Sequence, residues 1–386
     1  MTNSTLNFRL ILEEDPLLKE LFAFNEFSNE IEVTRDVPDL HIRKGDLTDS
    51  IEPAILDSIE LRYGLIFNDN VFWKAVTNVS RNNSYNPVVD YLEAADRNWD
   101  HVERAQEFLP KYLGAKKDDI TTLITKQFFV GCVGKAFDPT MQFDQVLDLV
   151  GGQGIGKTTL LKKMANGLYT DSFTSFTNKD DLAMMVRSWI VNDDEMTVSQ
   201  RTDFASLKKF ISQQRVEYRK PYGKVIEKHD KGFVIARTTN QLTYLKDRTG
   251  DRRFLPIRTN KSNQELHPFY DLKQDYIDQL WGEFTFYYKD GFDFGLSKEQ
   301  EKMLEKNREQ FMYVDEIEAR IAEILDTWKE DFITSRNIAD ELGDNINLVH
   351  DRKLAQKIKY VMDNQKSWKQ NNKKINGTSQ RGYERF

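Results

Sequence analysis

Gly151, Gly152, Gln153, Gly154, Ile155, Gly156, Lys157 and Thr158 follow one another between an apolar run of strand length (146–150) and a run from Thr159 that places Leu160, Leu161 and Met164 on one helical face. The spacing is G-x-x-x-x-G-K-[ST], which has chemical meaning only between a strand and a helix. The glycines let backbone N–H groups turn inward around a chain of phosphates. Lys157 adds a point charge for the terminal phosphate oxygens, and the Thr158 hydroxyl offers an oxygen to a divalent cation. Residues 151–159 are therefore expected to bind ATP with Mg2+. The surrounding fold is expected to be a three-layer α/β domain, because such a loop sits at the end of a buried strand.

A phosphoryl-transfer site also needs an acidic group near the cation. Trp189, Ile190 and Val191 form a second apolar run, followed by Asn192, Asp193, Asp194 and Glu195 about 35 residues beyond the glycine loop. Asp194 is the expected metal-side carboxylate, with Asp193 as the alternative, and Glu195 is the expected general base. A third run, 233–236, ends in Arg237, Thr238, Thr239 and Asn240. A polar side chain at that strand end can orient an attacking water, so Asn240 is a candidate, although Asn there also caps turns. Arg252 and Arg253 precede another apolar run. They can serve a neighbouring subunit's γ-phosphate as an arginine finger, or act as surface ion-pair partners.

With 386 residues the chain has room for two or three domains, and 39% hydrophobic with 30% charged residues excludes a disordered polyanion and a membrane-embedded chain. No run approaches the roughly 18 uninterrupted apolar residues of a spanning helix. The apolar run 10–12 is followed at once by Glu13, Glu14 and Asp15, unlike a secretory signal. One cysteine, Cys132, cannot close an internal disulfide, which fits a reducing cytoplasm. Residues 1–84 carry no motif and their role is unknown. From Pro87 the spacing of Val89, Leu92, Val102, Ala105 and Phe108 is helical, with Pro110 as the expected stop, and a second helix is expected over 118–137. The expected organisation is an N-terminal helical region with 1–84 set apart from a helical collar at 85–140, then a P-loop ATPase (141–300), then C-terminal helices with a DNA-binding module (301–386).

The net charge of −7 argues against nucleic acid only as an average. In the last 35 residues ten basic side chains face two acidic ones, a local +8, which leaves −15 for the rest of the chain. Here a capped helix (334–343), a second helix (351–362) with Leu354, Ile358 and Val361 inward, and two strands (368–369 and 381–386) around a polar turn are similar to a winged helix-turn-helix. Lys353, Lys357, Lys359, Lys373 and Lys374 are its expected DNA contacts, and a protein-binding winged helix is the other reading. A second basic stretch, 208–231, holds eight basic against three acidic residues. Pro221, Tyr222 and Gly223 read as a turn within it, so a hairpin presenting Lys220, Tyr222 and Lys224 to DNA is expected, with an oligomer interface as the alternative.

With these residues assembled, the chain resembles the virulence-associated protein E family, whose ATPase domain is similar to superfamily III helicases of phages, small DNA viruses and plasmids. The resemblance covers about residues 85–258. It includes Asn86, Pro87, Val88, Val89, Asp90, Tyr91 and Leu92, then Trp99 and Asp100, the glycine loop, and Trp189 with its downstream acids. Arg219, Lys220, Pro221, Tyr222 and Gly223 belong to it too, as do Thr238, Thr239 and Asn240, and Gly250, Asp251, Arg252, Arg253 and Phe254. It implies an AAA+-like core in which Lys157 and Thr158 are Walker A residues, Asp194 and Glu195 Walker B, Asn240 sensor 1, and Arg252 or Arg253 the finger. One departure is Asn192, where relatives often carry an acid. The resemblance further implies a homo-oligomeric ring, with a hexamer as the expected size, acting on DNA in the bacterial cytoplasm beside primase or host replication proteins. The expected function is an ATP-dependent helicase or replication initiator of a phage or mobile element. The alternative is a nucleotide-gated switch that binds DNA or a partner protein without processive unwinding.

Overall fold

The computed structural model describes residues 3–218, 227–245, 251–313, 316–343, 352–363, 365, 367–375 and 378–386. They divide into two units, Met1–Leu242 with Asp247–Gln310, and Thr243–Lys246 with Phe311–Phe386.

In the first unit the N-terminal segment builds its own core. Phe8 and Leu12, one helical turn apart, are fully buried on α1 (Thr5–Glu14), and Ser4 starts this helix by accepting from Asn7 N. They share an apolar cluster with Phe22 of β1 (Phe22–Asn25), Val33 of β2 (Glu30–Val33), Ile55 of α2 (Ile51–Tyr63) and Phe72 of α3 (Asp69–Asn82). With β3 (Gly45–Asp46) and β4 (Ser84–Tyr85) the strands make a sheet of order β3-β2-β1-β4, antiparallel except for β1 with β4. The N-terminal region, expected to be helical, thus carries a four-stranded sheet beside its helices. These strands span two to four residues, too short for a period of two to register.

Asn86 caps α4 (Pro87–Arg97) by accepting from Val88 N and Val89 N. Val102 lies outside any helix and is exposed. Pro110 does not stop the next helix, α5 (Ala105–Leu113), but sits inside it, and Gly114 in the left-handed region at φ 60° ends it. A proline there removes one helical donor. Buried Phe108, Leu109, Tyr112 and Leu113 hold the helix regardless of that loss. The predicted second helix is present as α6 (Asp119–Phe137), capped by Asp118.

Next come β5 (Val146–Val150), α7 (Lys157–Met164), β6 (Tyr169–Thr170), α8 (Lys179–Val186), β7 (Ile190–Asp193), α9 (Phe204–Ser212), β8 (Arg215–Tyr218), β9 (Glu227–Asp230), β10 (Val234–Thr239) and β11 (Phe254–Arg258). Five of the strands form an all-parallel sheet of order β11-β5-β10-β7-β6. Pro256 is tolerated because β11 is at the edge. Leu147, Leu149, Ile190, Val234, Ala236, Leu255 and Ile257 alternate onto one face and join a core with α6, α7 and α11 (Gln274–Lys289). Alternation sends Asp148 and Arg237 to the other face. They are register partners on adjacent strands, 0% and 4% exposed, and Arg237 donates Nε to Asp148 Oδ1 at 2.7 Å and Nη2 to Oδ2 at 2.6 Å.

Between β11 and α11 lies the short α10 (Pro268–Asp271). Trp281 of α11 stacks on Trp189 at 4.3 Å and donates Nε1 to Met164 O at 3.0 Å. The helix α12 (Lys298–Glu309) opens with a capping box between Ser297 and Gln300. It stays with the first unit because Leu304 is in the sheet's core and Asn307 Nδ2 donates to Pro256 O at 2.7 Å. The division into units therefore falls at Gln310, beyond the expected boundary at residue 300.

The second unit contains α13 (Glu316–Thr327), β12 (Phe332–Ile333), α14 (Ser335–Glu341), α15 (Arg352–Asp363), β13 (Trp368–Ile375) and β14 (Thr378–Arg385). Its sheet has the order β12-β14-β13 and is antiparallel. Thr334 and Asn337 form a capping box on α14. Leu354, Ile358 and Val361 are buried as expected, in one core with Ile338, Trp368 and Tyr383. β13 is longer than the expected 368–369 pair, because its run of Lys, Gln and Asn conceals a strand that pairing with β14 sustains. Among the described residues no helix is long and apolar enough to cross a membrane.

Candidate nucleotide-binding site

β5 delivers the glycine loop to the carboxyl end of the sheet beside β10, where open parallel sheets bind ligands. The ladder runs into the loop, since Gly151 N donates to Thr239 O at 3.0 Å. Only glycine fits at 151: a Cβ would lie 2.3 Å from Thr259 Oγ1 and 2.5 Å from Thr259 O. Gly156, the N-cap of α7, has φ 95° and faces the Pro268 ring. From outside, Gln264 Nε2 donates to Ile155 O at 2.8 Å and to Tyr112 O at 2.7 Å.

Lys157 is buried with its ammonium turned into this loop, donating to Gly151 O at 2.6 Å, Gly152 O at 2.9 Å and Asn240 Oδ1 at 3.2 Å. Burial holds the ammonium below the usual lysine range, while Glu195 and Asp194 pull it back up. Thr158 donates its hydroxyl to Asp194 Oδ1 at 2.7 Å. Lys157, Thr158, Asp194 and Asn240 are thus brought together from three strand ends, with Glu195 next to Asp194 in the chain. Gln153, Gly154, Ile155 and Thr159 belong to the same loop and the first turn after it.

The neighbouring acids have different partners. Asp193 is buried and accepts Val198 N at 2.9 Å and Ser199 N at 2.7 Å, so its carboxylate holds the following turn. Asp194 faces the loop instead. Its Oδ1 also accepts from Thr238 Oγ1 at 2.6 Å and from Asn192 Nδ2 at 3.3 Å. Asn192 is therefore a donor toward Asp194 and toward Tyr169 OH at 2.9 Å, where an acid would repel the Asp194 carboxylate. Glu195 is exposed and left-handed, at φ 52° and ψ 21°, a strained position for a residue of this kind. Its N–H donates to Thr238 Oγ1 at 3.1 Å. Sequence reasoning assigned no task to Thr238. Its signal was a hydroxyl two residues before Asn240, on a strand whose register places it beside the acids.

A hydroxyl beside a carboxylate is an all-oxygen pair of the kind that fits Mg2+, which takes most of its ligands from water and phosphate. Among the described residues no cluster of three His, Cys, Asp or Glu could hold a metal by itself.

Arg252 and Arg253 precede β11, whose first residue pairs with Val146, so they lie at the end of the sheet away from the loop. Arg253 is committed within its own chain, with Nε on Ser212 Oγ at 2.9 Å and 3.5 Å from Asp144 Oδ2. Arg252 is exposed and makes no hydrogen bond or ion pair among the described residues.

β8 and β9 pair antiparallel as the expected hairpin, while Lys220, Tyr222 and Lys224 lie outside the described residues. Arg215 pairs with Asp230 at 2.6 Å, Lys228 with Glu217 at 3.3 Å, and Lys231 is buried. In the second unit Lys359, Lys373 and Lys374 are exposed and Lys357 is half-buried, while the Lys353 side chain lies outside the description. Lys373 also stands 3.8 Å from Glu384 Oε1 and over the Phe332 ring.

No curated protein matches the chain. A solved structure of the NrS-1 C-terminal region, an apo A form, is similar with a TM-score of 0.50 at 13% identity, covering 98% of this chain and 99% of that one. A second apo structure of that region gives 0.48 at 13% identity, covering 95% and 96%. The sequence profile of the virulence-associated protein E-like domain matches residues 92–313, more than half of the chain. The match takes in the collar from residue 92 onward, the glycine loop, the acids after β7, Asn240 and the arginines before β11, and the chain belongs to the virulence-associated protein E-like family.

Proposed function

We propose that the chain is an ATP-dependent, Mg2+-requiring DNA helicase or replication initiator of a phage or mobile element. The observation that carries this reading is the convergence of Lys157, Thr158, Asp194 and Asn240 at the carboxyl ends of β5, β7 and β10. The strand order supports an AAA+-like P-loop core: taken in chain order the five strands lie 5-1-4-3-2. In this reading the loop amides and Lys157 hold the triphosphate, Thr158 and Asp194 hold Mg2+, Glu195 takes the proton of the attacking water, and Asn240 orients that water. Bound Mg2+ neutralises developing charge on the phosphates. Arg252, exposed at the far end of the sheet, would act on the neighbouring copy in a ring. DNA would be gripped by the β8–β9 hairpin and by the second unit, whose three helices and antiparallel sheet fit a winged helix.

The deciding experiment is strand displacement by the full chain with Mg–ATP, run beside solution mass with a non-hydrolysable analogue. ATP-driven unwinding with ring formation is the expected result. Hydrolysis with DNA binding and no displacement would instead select the nucleotide-gated switch. Equal turnover by Lys157→Ala would remove the site assignment altogether.

A further inference from the structure

The proposed triphosphate cradle accounts for phosphates but not for the base they carry. The segment after β11 runs along the outside of the loop and is fixed to it repeatedly. Pro268 lies against Gly156. His267 Nδ1 accepts Phe269 N at 3.2 Å, so its ring hydrogen is on Nε2, 3.2 Å from Gly154 O. Lys163, on the helix that begins at the loop, donates to Pro268 O at 2.8 Å, Phe269 O at 3.0 Å and Leu272 O at 2.8 Å. Asp271 Oδ2 closes the short helix by accepting His267 N at 2.7 Å.

On this braced turn two adjacent aromatic rings point into solvent. Phe269 is 61% and Tyr270 67% exposed, their centroids are 4.9 Å apart, and Tyr270 is 5.5 Å from the His267 ring. A single exposed aromatic needs no explanation. Two together on a helix of four residues tied to a phosphate loop from both sides make a rigid apolar surface at the loop's rim. A nucleobase has π faces that stack on such rings whatever its hydrogen-bonding edge.

We propose that Phe269 and Tyr270 form the base subsite, the surface on which the purine of a nucleoside triphosphate stacks while its phosphates enter the loop. The inference rests on the nucleotide reading above and assigns the part of the ligand that reading leaves unplaced. Because the rings are exposed, replacing them leaves the core intact.

The test compares Mg–ATP with Mg–tripolyphosphate, which has the phosphates and no base, by calorimetric titration of the full chain. The wild type is expected to prefer ATP, and Phe269→Ala/Tyr270→Ala to lose about 5- to 150-fold of ATP affinity, the range one stacked base contributes. Its tripolyphosphate affinity should stay unchanged, and Phe269→Trp should keep the preference for ATP. An unaltered preference in the double variant, or an equal loss for both ligands, overturns the base subsite. A change in solution mass with the preference intact identifies the rings as a contact between copies and overturns it likewise. Binding of neither ligand by the wild type, or unchanged binding by Lys157→Ala, refutes the nucleotide reading itself and is distinguishable from these outcomes.

Discussion

Asp193 and Asp194 are adjacent in the chain and point their carboxylates at different tasks, the first at the amides of Val198 and Ser199, the second at the Thr158 hydroxyl. Their substitutions should therefore fail in different ways. Asp194→Asn should leave the urea midpoint near that of the wild type and lower Mg2+-dependent hydrolysis at least ~100-fold, the scale of losing one preorganised charge. Asp193→Ala should destabilise by about 2–4 kcal/mol, because it strands the buried amide of Val198 and the half-buried amide of Ser199. Reversal of the two phenotypes in parallel ATPase and denaturation measurements would exchange the assignments.

Thr238 links the two halves of the acidic motif, donating to Asp194 and accepting from the Glu195 amide. Thr238→Val keeps shape and volume but removes both bonds. We expect kcat to fall about tenfold or more with KM nearly constant, since the change disorients groups and leaves the phosphate loop untouched. Thr238→Ser should restore most of the rate. A Ser variant as slow as Val would locate the effect in packing.

Arg252 and Arg253 should separate by assembly. Arg252→Ala is expected to lose hydrolysis only where copies meet, so mixing it with Lys157→Ala should recover activity if each supplies what the other lacks. Arg253→Ala should instead lower stability by about 1–2 kcal/mol through its lost bonds to Ser212 and Asp144. Mixed samples with no recovery at any ratio would remove the finger role from Arg252.

Buried lysines set the alkaline behaviour of the fold. Burial first, and the neighbouring Lys135 second, pull Lys231 down to about 7 against Asp144, while burial takes Lys135 to about 8 against Asp138 and Asp230. In the unfolded chain both hold their protons up to about pH 10.4. Between about pH 7 and pH 10 the unfolded state binds more protons, so stability should rise with pH across that window and level off below it. Lys231→Met should flatten the rise in urea midpoints taken at pH 6.5, 8 and 9.5. An equally steep rise in the variant would place its origin elsewhere.

What the sequence made legible follows the length of each signal. The loop, its flanking strand and helix, α6 with its Asp118 cap, and the inward face of α15 were readable because each rests on a spacing that local chemistry enforces. Pro110 misled because packing of Phe108 and Leu109 outweighs one missing donor. β6 and the N-terminal strands were invisible because two to four residues carry no period. The separate duties of Asp193 and Asp194 could not be read from three consecutive acids, since a change of direction at Glu195, not composition, assigns them. The pairing of Arg215 with Asp230 and of Lys228 with Glu217, and the burial of Lys231, could not be read from the count of basic residues in 208–231, because cross-strand pairing and burial are non-local.

The buried pair of Asp148 and Arg237 has a consequence beyond its own contact. It spans β5, which ends in the glycine loop, and β10, which ends at Asn240, and it is formed by residues directly opposite in register. Sliding one strand past the other by a single position would turn one charge to the opposite face and leave both without a partner, at a cost of about 3–5 kcal/mol. The pair thus works as a dowel between the two strands. The 3.2 Å meeting of Lys157 with Asn240 takes its alignment from a joint set deeper in the sheet, below any atom a nucleotide would touch.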